Sequence, residues 1–268
     1  MKKILFSTLA LVLLLMVSCK PDPVIDEDKT ARVELNFVTE YQNSPLVLFN
    51  EDYSYPEFGN TFNVKTFHFL MTDLVLLKDG TGDATELSEV EFIDFQDKMT
   101  LDLATKGTAR SYESIPTGEY SGIRFGLGVN NELNKSETVG ENNSADPLGS
   151  NNFWSGWNSY VFSRMEGNFD MTGDGLYDDI GSEPENDFAY ALHTGANEAF
   201  RTVTINAPIT VTAGEDNIVK VIIDFDKILM NEEGEVYDVI ETPTSHTTAN
   251  LDAINEIMDN FKNAFSIR

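Results

Sequence analysis

From Arg32 onward, short apolar stretches alternate with turn signals. VELNF (33–37) strictly alternates apolar and polar positions, the period of a half-buried strand. FNVKTFHFLMTDLVLL (62–77) carries two strand-length runs and gives way to KDGTGD (78–83), a turn. VEFIDF (90–95) alternates again, SIPTGEYSGIRFGLGV (114–129) holds a Pro-Thr-Gly turn followed by a strand, and VKVIIDF (219–225) is rich in β-branched residues. Short strands separated by Gly, Asn and Asp clusters predict an all-β fold, an antiparallel β-sandwich of immunoglobulin-like or jelly-roll-like type. Only LDAINEIMDNFKNAF (251–265) has helical spacing. Leu251, Ile254, Met258, Phe261 and Phe265 would share one face, with Asn250 as the cap. The pattern contains no internal repeat and no linker after Thr30, so residues 31–268 are expected to form a single domain with long irregular loops and a short C-terminal helix.

The first residues follow a different logic. Lys2 and Lys3 precede a short apolar run, Ile4 to Val17, that ends in Met-Val-Ser-Cys. That run is too short for a comfortable membrane span and has the layout of an export leader. Its end resembles a bacterial lipobox, which implies a signal peptide over 1–18, cleavage before Cys19 and lipidation of that residue, the only cysteine in the chain. Acyl chains would hold the mature protein to a membrane without a spanning helix. Residues 19–30, with two prolines and four acids, read as an acidic tether. An acidic run at this place resembles a surface-export signal. The expected location is the outer membrane of a diderm bacterium, facing the periplasm or the surface.

The formal net charge of −27 argues against nucleic acid and anionic lipid as partners and favours cations. With one cysteine, already assigned to lipid, no disulfide or thiolate cluster can form.

The segment from Asn130 to about Asp187 breaks the strand rhythm, and long irregular stretches of this kind are usually functional or mobile. It holds FWSGWNSY (153–160) with Trp154 and Trp157, the only tryptophans. Further on, Asp170-x-Thr172-x-Asp174-Gly175-x-x-Asp178 places oxygen side chains at positions 1, 3, 5 and 9, as at the start of an EF-hand-type calcium loop. Gly181 stands where the usual bidentate acid would be, with Asp179 or Glu183 as substitutes. The alternative is a solvated acidic hairpin turn. Of three histidines, His68 lies within an apolar strand and fits a packed residue. His193 ends FAYALHTG (188–195), and His246 sits in PTSHTTAN (243–250). Each singly fits a surface or hydrogen-bonded residue; two imidazoles together would suit copper or zinc.

Taken together, KTFHFLMTDLVLLKDG (65–80), IPTGEYSGIRFGLGVN (115–130), WNSYVFSRMEGNF (157–169), ALHTG (191–195) and the SHTTAN-helix-NAF tail resemble the MbnP-like family across residues 31–266. That family consists of exported β-rich proteins, many of them lipoproteins. Some members bind copper through histidines and a tryptophan oxidised to kynurenine by a partner haem enzyme. The resemblance implies a copper site built from His193 and His246 with Trp157, and Trp154 close by, and a haem-containing tryptophan-modifying partner. In the family pattern the paired tryptophans stand two apart after a methionine. Here they stand three apart, Phe153 holds the methionine's place, and Tyr160 directly follows Asn-Ser. The function implied is copper acquisition or handling without enzymatic activity, since no Ser-His-Asp spacing or metal-hydrolase motif is present. A different class, a cell-surface module binding glycan or a partner protein through exposed aromatics, is the alternative.

Overall fold

The computed structural model describes residues 29–268 except positions 57, 79–82, 144–145, 179, 182, 184 and 246. The leader, Cys19 and most of the tether lie outside the described residues. In chain order the strands are β1 (Thr30–Tyr41), β2 (Ser44–Pro45), β3 (Asp52–Ser54), β4 (Thr61–Lys78), β5 (Ala84–Asp94), β6 (Thr108–Pro116) and β7 (Gly118–Leu127), with helix α1 (Leu101–Lys106) between β5 and β6. There follow β8 (Phe153–Trp154), β9 (Ser159–Asp170), β10 (Phe188–Gly195), β11 (Arg201–Val211), β12 (Asn217–Asp224), α2 (Phe225–Leu229), α3 (Leu251–Phe261) and β13 (Phe265–Ile267).

These strands form the expected sandwich of two open sheets. One runs β13-β12-β1-β2, with β6 also on β1. The other runs β10-β9-β4-β7-β11, with β3, β5 and β8 attached at its margins. Among the described strands pairing is antiparallel except that β1 and β12 run parallel, Val33 opposite Asn217 through Glu40 opposite Asp224. A parallel pair needs a long crossover, and here nearly the whole domain supplies it.

β4 is the spine of the larger sheet. The two runs expected between 62 and 77 are one 18-residue strand. Asp73 at φ 54° and a register shift between Leu74 and Val75 mark a bulge that lets the strand bend without ending. Its inward residues Phe67 and Phe69 meet Phe225, Phe261 and Phe265 at ring separations of 5.2 to 5.9 Å, so strand, helix and C-terminus share one core. The opposite sheet contributes Val33, Leu35 and Phe37.

Two details of the C-terminus differ from the periodic pattern. The helix ends at Phe261, and Phe265 lies in β13, paired with Ile223 of β12. A side chain at helical spacing can be buried equally well from an edge strand, so spacing alone did not separate the two. Asn250 occupies the cap position without a side-chain cap bond; the Thr247 hydroxyl instead accepts from the Ala249 amide at 3.3 Å. No helix among the described residues is long and apolar enough to cross a membrane.

Candidate metal centre

The octet FWSGWNSY folds as a tight hairpin. β8 pairs with the start of β9, Phe153 opposite Tyr160 and Trp154 opposite Ser159. The Trp157 amide donates to the Trp154 carbonyl at 3.0 Å, and Asn158 takes φ 51° to complete the turn. A turn of this length returns the chain on itself, so the two indoles stack, with centroids 5.1 Å apart and planes 14° from parallel. Trp157 is the buried member and lies flat on Gly195. A Cβ added there would stand 2.5 Å from Trp157 Cε3. The absent side chain at Gly195 is what admits the ring. Trp154, half-buried, presents its ring to His193 edge-on at 6.0 Å.

The register of three strands builds the polar side. His193 of β10 and His68 of β4 both stand opposite Arg164 of β9. Glu166, two residues along β9, shares their face because strand side chains repeat with period two. His193 Nε2 and Glu166 Oε1 are 2.6 Å apart. The Thr66 hydroxyl donates to Glu166 Oε2 at 3.1 Å, and Arg164 Nε lies 3.7 Å from Oε1. The hydrogen bond from His193, reinforced by the charge of Arg164, holds the Glu166 carboxyl down at about 2, against the pull of burial. His68 packs against Phe92 at 4.8 Å and is lowered to about 4, chiefly by burial and then by the charge of Arg164. It is therefore neutral near pH 7.

Of the four residues expected to form the copper site, His193, Trp154 and Trp157 come together. His246 lies outside the described residues. Its neighbour Ser245 is fully buried beside β10, its amide donating to the Ala191 carbonyl at 3.1 Å and its hydroxyl to the His193 carbonyl at 2.8 Å. Sequence reasoning passed over Glu166, Arg164 and His68 as members of this cluster. The alternation of Arg164 and Glu166 within the apolar SYVFSRMEG was the available signal, but nothing in it named the strand opposite.

The acidic loop has other members than expected. One carboxylate oxygen each of Asp170, Asp174 and Asp187 lies within 4.8 Å of the others. Asp178 is exposed and lies outside this group, and the Thr172 hydroxyl donates to Asp170 Oδ1 at 3.2 Å. Asp187 enters because β9 and β10 are neighbours: Phe188 stands opposite Phe169, which closes the hairpin base beside Asp170. A pattern confined to residues 170–181 could not reach it.

Comparison with known proteins gives one family and one fold. A family model described as MbnP matches residues 30–249. MbnP from Methylosinus trichosporium is similar in structure with a TM-score of 0.50 at 13% sequence identity, over 75% of this chain and 78% of that one. Among curated proteins none matches.

Proposed function

Because the chain belongs to the MbnP family, we propose that it binds copper at the His193 centre, as a non-enzymatic, lipid-anchored protein of copper acquisition or handling. The observation that carries this reading is the convergence of His193, Trp154 and Trp157, with Glu166 on Nε2 of the imidazole. A metal-binding histidine commonly gives its other ring nitrogen to a carboxylate, which fixes the tautomer and raises ligand basicity. With Nε2 engaged, the nitrogen that would bind metal is the buried Nδ1. Imidazole suits copper, and an apolar aromatic wall favours the cuprous ion by excluding water. His246 would supply the second imidazole. Unmodified indole carries only a donor N–H and is no ligand. Oxidative cleavage of the indole C2–C3 bond by a haem partner using dioxygen or peroxide, with C2 lost as formate, would leave an aryl ketone and an aniline nitrogen, and half-buried Trp154 offers the more accessible ring. Copper, when bound, would be carried or delivered; the chain's own residues orient and shield it.

Titrating the metal-free full chain with Cu(I) and Cu(II) by calorimetry or chelator competition tests this reading. Binding tighter than low micromolar, lost in the His193→Ala/His246→Ala double variant, is expected. Absence of such binding, or binding indifferent to that variant, overturns it.

One further observation favours a second reading, a surface module for a partner protein. Phe49, Met99, Leu101 and Leu103 are all exposed, and their segments are tied together by the Leu48 amide on the Lys98 carbonyl and the Asn50 side chain on the Met99 carbonyl. A chain that shows no copper response but loses partner capture on Leu101→Asp would support it.

A further inference from the structure

The hairpin joining β9 to β10 closes on two carboxylates without solvent exposure. Asp170 is the last residue of β9, Asp187 immediately precedes β10, and both are 0% exposed. Exposed Asp174, four residues after Asp170, brings a third carboxylate into the group. Such a concentration of negative charge in the interior is unfavourable without a compensating cation. Among the described residues, no Lys, Arg or His forms an ion pair with any of the three.

The hydrogen bonds within the loop are unevenly shared. Asp170 receives the Thr172 hydroxyl and the amides of Gly173 and Gly175 at 3.2, 2.6 and 2.8 Å. Asp187 Oδ1 receives the amides of Met171 and Thr172 at 3.0 and 3.1 Å. Asp187 Oδ2 is buried and has no hydrogen-bond partner among the described residues. A buried acceptor without a donor is costly, and proteins rarely retain one unless something occupies its lone pairs. This oxygen belongs to a carboxylate already facing two others. The phenol of neighbouring Tyr177 senses the same field: it is raised by burial and by its bond to Asp52, and further by the charges of Asp52, Asp170 and Asp187.

We propose that Asp170, Asp174 and Asp187 hold a calcium ion that fastens the β9–β10 hairpin. Three hard oxygen donors select a hard cation. Calcium–oxygen distances of 2.3–2.6 Å put ligands on opposite sides of the ion about 5 Å apart, whereas magnesium draws them to about 4 Å. Oxygens within 4.8 Å of one another lie inside the span of a calcium shell. Loop carbonyls and water would complete the shell. The ion would sit about 20 Å along β10 from His193, six residues at about 3.3 Å each. It is a staple for the two strands that carry Arg164, Glu166 and His193, and its existence does not depend on copper binding.

The test uses the full chain after chelator treatment, titrated with CaCl2 and separately with MgCl2, with thermal unfolding followed at each concentration. Calcium should bind once per chain and raise Tm by several degrees, with magnesium at least tenfold weaker. Asp174→Asn, on an exposed side chain and safe for folding, should weaken calcium at least tenfold. Asp187→Asn should abolish the shift, and Asp178→Asn should leave it intact. Copper affinity of Asp174→Asn should equal that of the wild type, which keeps the two sites' fates separate. No calcium-dependent shift in the wild type, or an equal one in Asp174→Asn, overturns the proposal even if Asp187→Asn cannot be obtained folded.

Discussion

At the scale of single residues, Glu166 is the side chain on which the metal reading bears most heavily. It touches His193 at 2.6 Å and is itself held by Thr66 and Arg164. Its role is to position the imidazole. Glu166→Gln keeps the shape but removes the charge, and should weaken copper binding roughly 10- to 100-fold and lower Tm at pH 7, where the folded chain favours the ionised carboxylate. A chelator-competition titration reads the first quantity and a melt the second; equal copper affinity in the two proteins would refute the role. His68 makes a prediction about pH. Its folded value of about 4 lies below the ordinary 6.5, so between these values the unfolded chain binds the extra proton and the folded chain does not. Stability is then full above about 6.5 and falls as pH drops towards 4. Glu166, also lowered when folded, extends the loss from the ordinary carboxylate range down to about 2. His68→Gln should flatten the Tm profile between pH 6.5 and 4 relative to the wild type. Parallel profiles would mean that the ring is not held neutral by its surroundings.

Among elements, the β8–β9 hairpin and β10 act as one unit through Gly195. Trp157 rests on that glycine, and a methyl there would meet both the indole at 2.5 Å and the Tyr160 carbonyl at 2.8 Å. Since the carbonyl cannot yield, Gly195→Ala should cost about 1–3 kcal/mol and shift the emission of the stacked tryptophans; unchanged fluorescence and Tm would show that the hairpin packs elsewhere. This hairpin also marks where the sequence stopped being readable. Alternation in VELNF and the β-branched VKVIIDF announced β1 and β12, because burial of one face or both leaves its period in composition. β8, at two residues, is too short to leave any period, so FWSGWNSY looked irregular although it is paired. The parallel pairing of β1 with β12 was equally silent, since it depends on a partner 184 positions away. The site divides the same way. His193, Trp154 and Trp157 stood out by residue type, whereas Glu166 and Asp187 matter through strand neighbours that no local motif encodes.

For the whole molecule, the question is what would hold so acidic a chain at a membrane. Its charge of −27 opposes adsorption to anionic lipid, and no described helix can span a bilayer. Attachment would then rest on the acyl chains proposed at Cys19, which contribute about 0.8 kcal/mol per buried methylene and hold firmly only when two or more are present. Salt and detergent should therefore act differently. High salt screens charge but leaves acyl burial intact, so the wild-type chain should stay with the membrane pellet in 1 M salt, a level at which surface charges are screened within about 3 Å, and should enter solution only with detergent. Exchanging residues 1–19 for a leader cleaved without lipidation should deliver the same folded domain to the soluble fraction, with copper and calcium binding unchanged because both centres lie beyond residue 150. A wild-type chain recovered soluble, with an unmodified Cys19 thiol in its intact mass, would remove the anchor from this account and leave the metal centres standing.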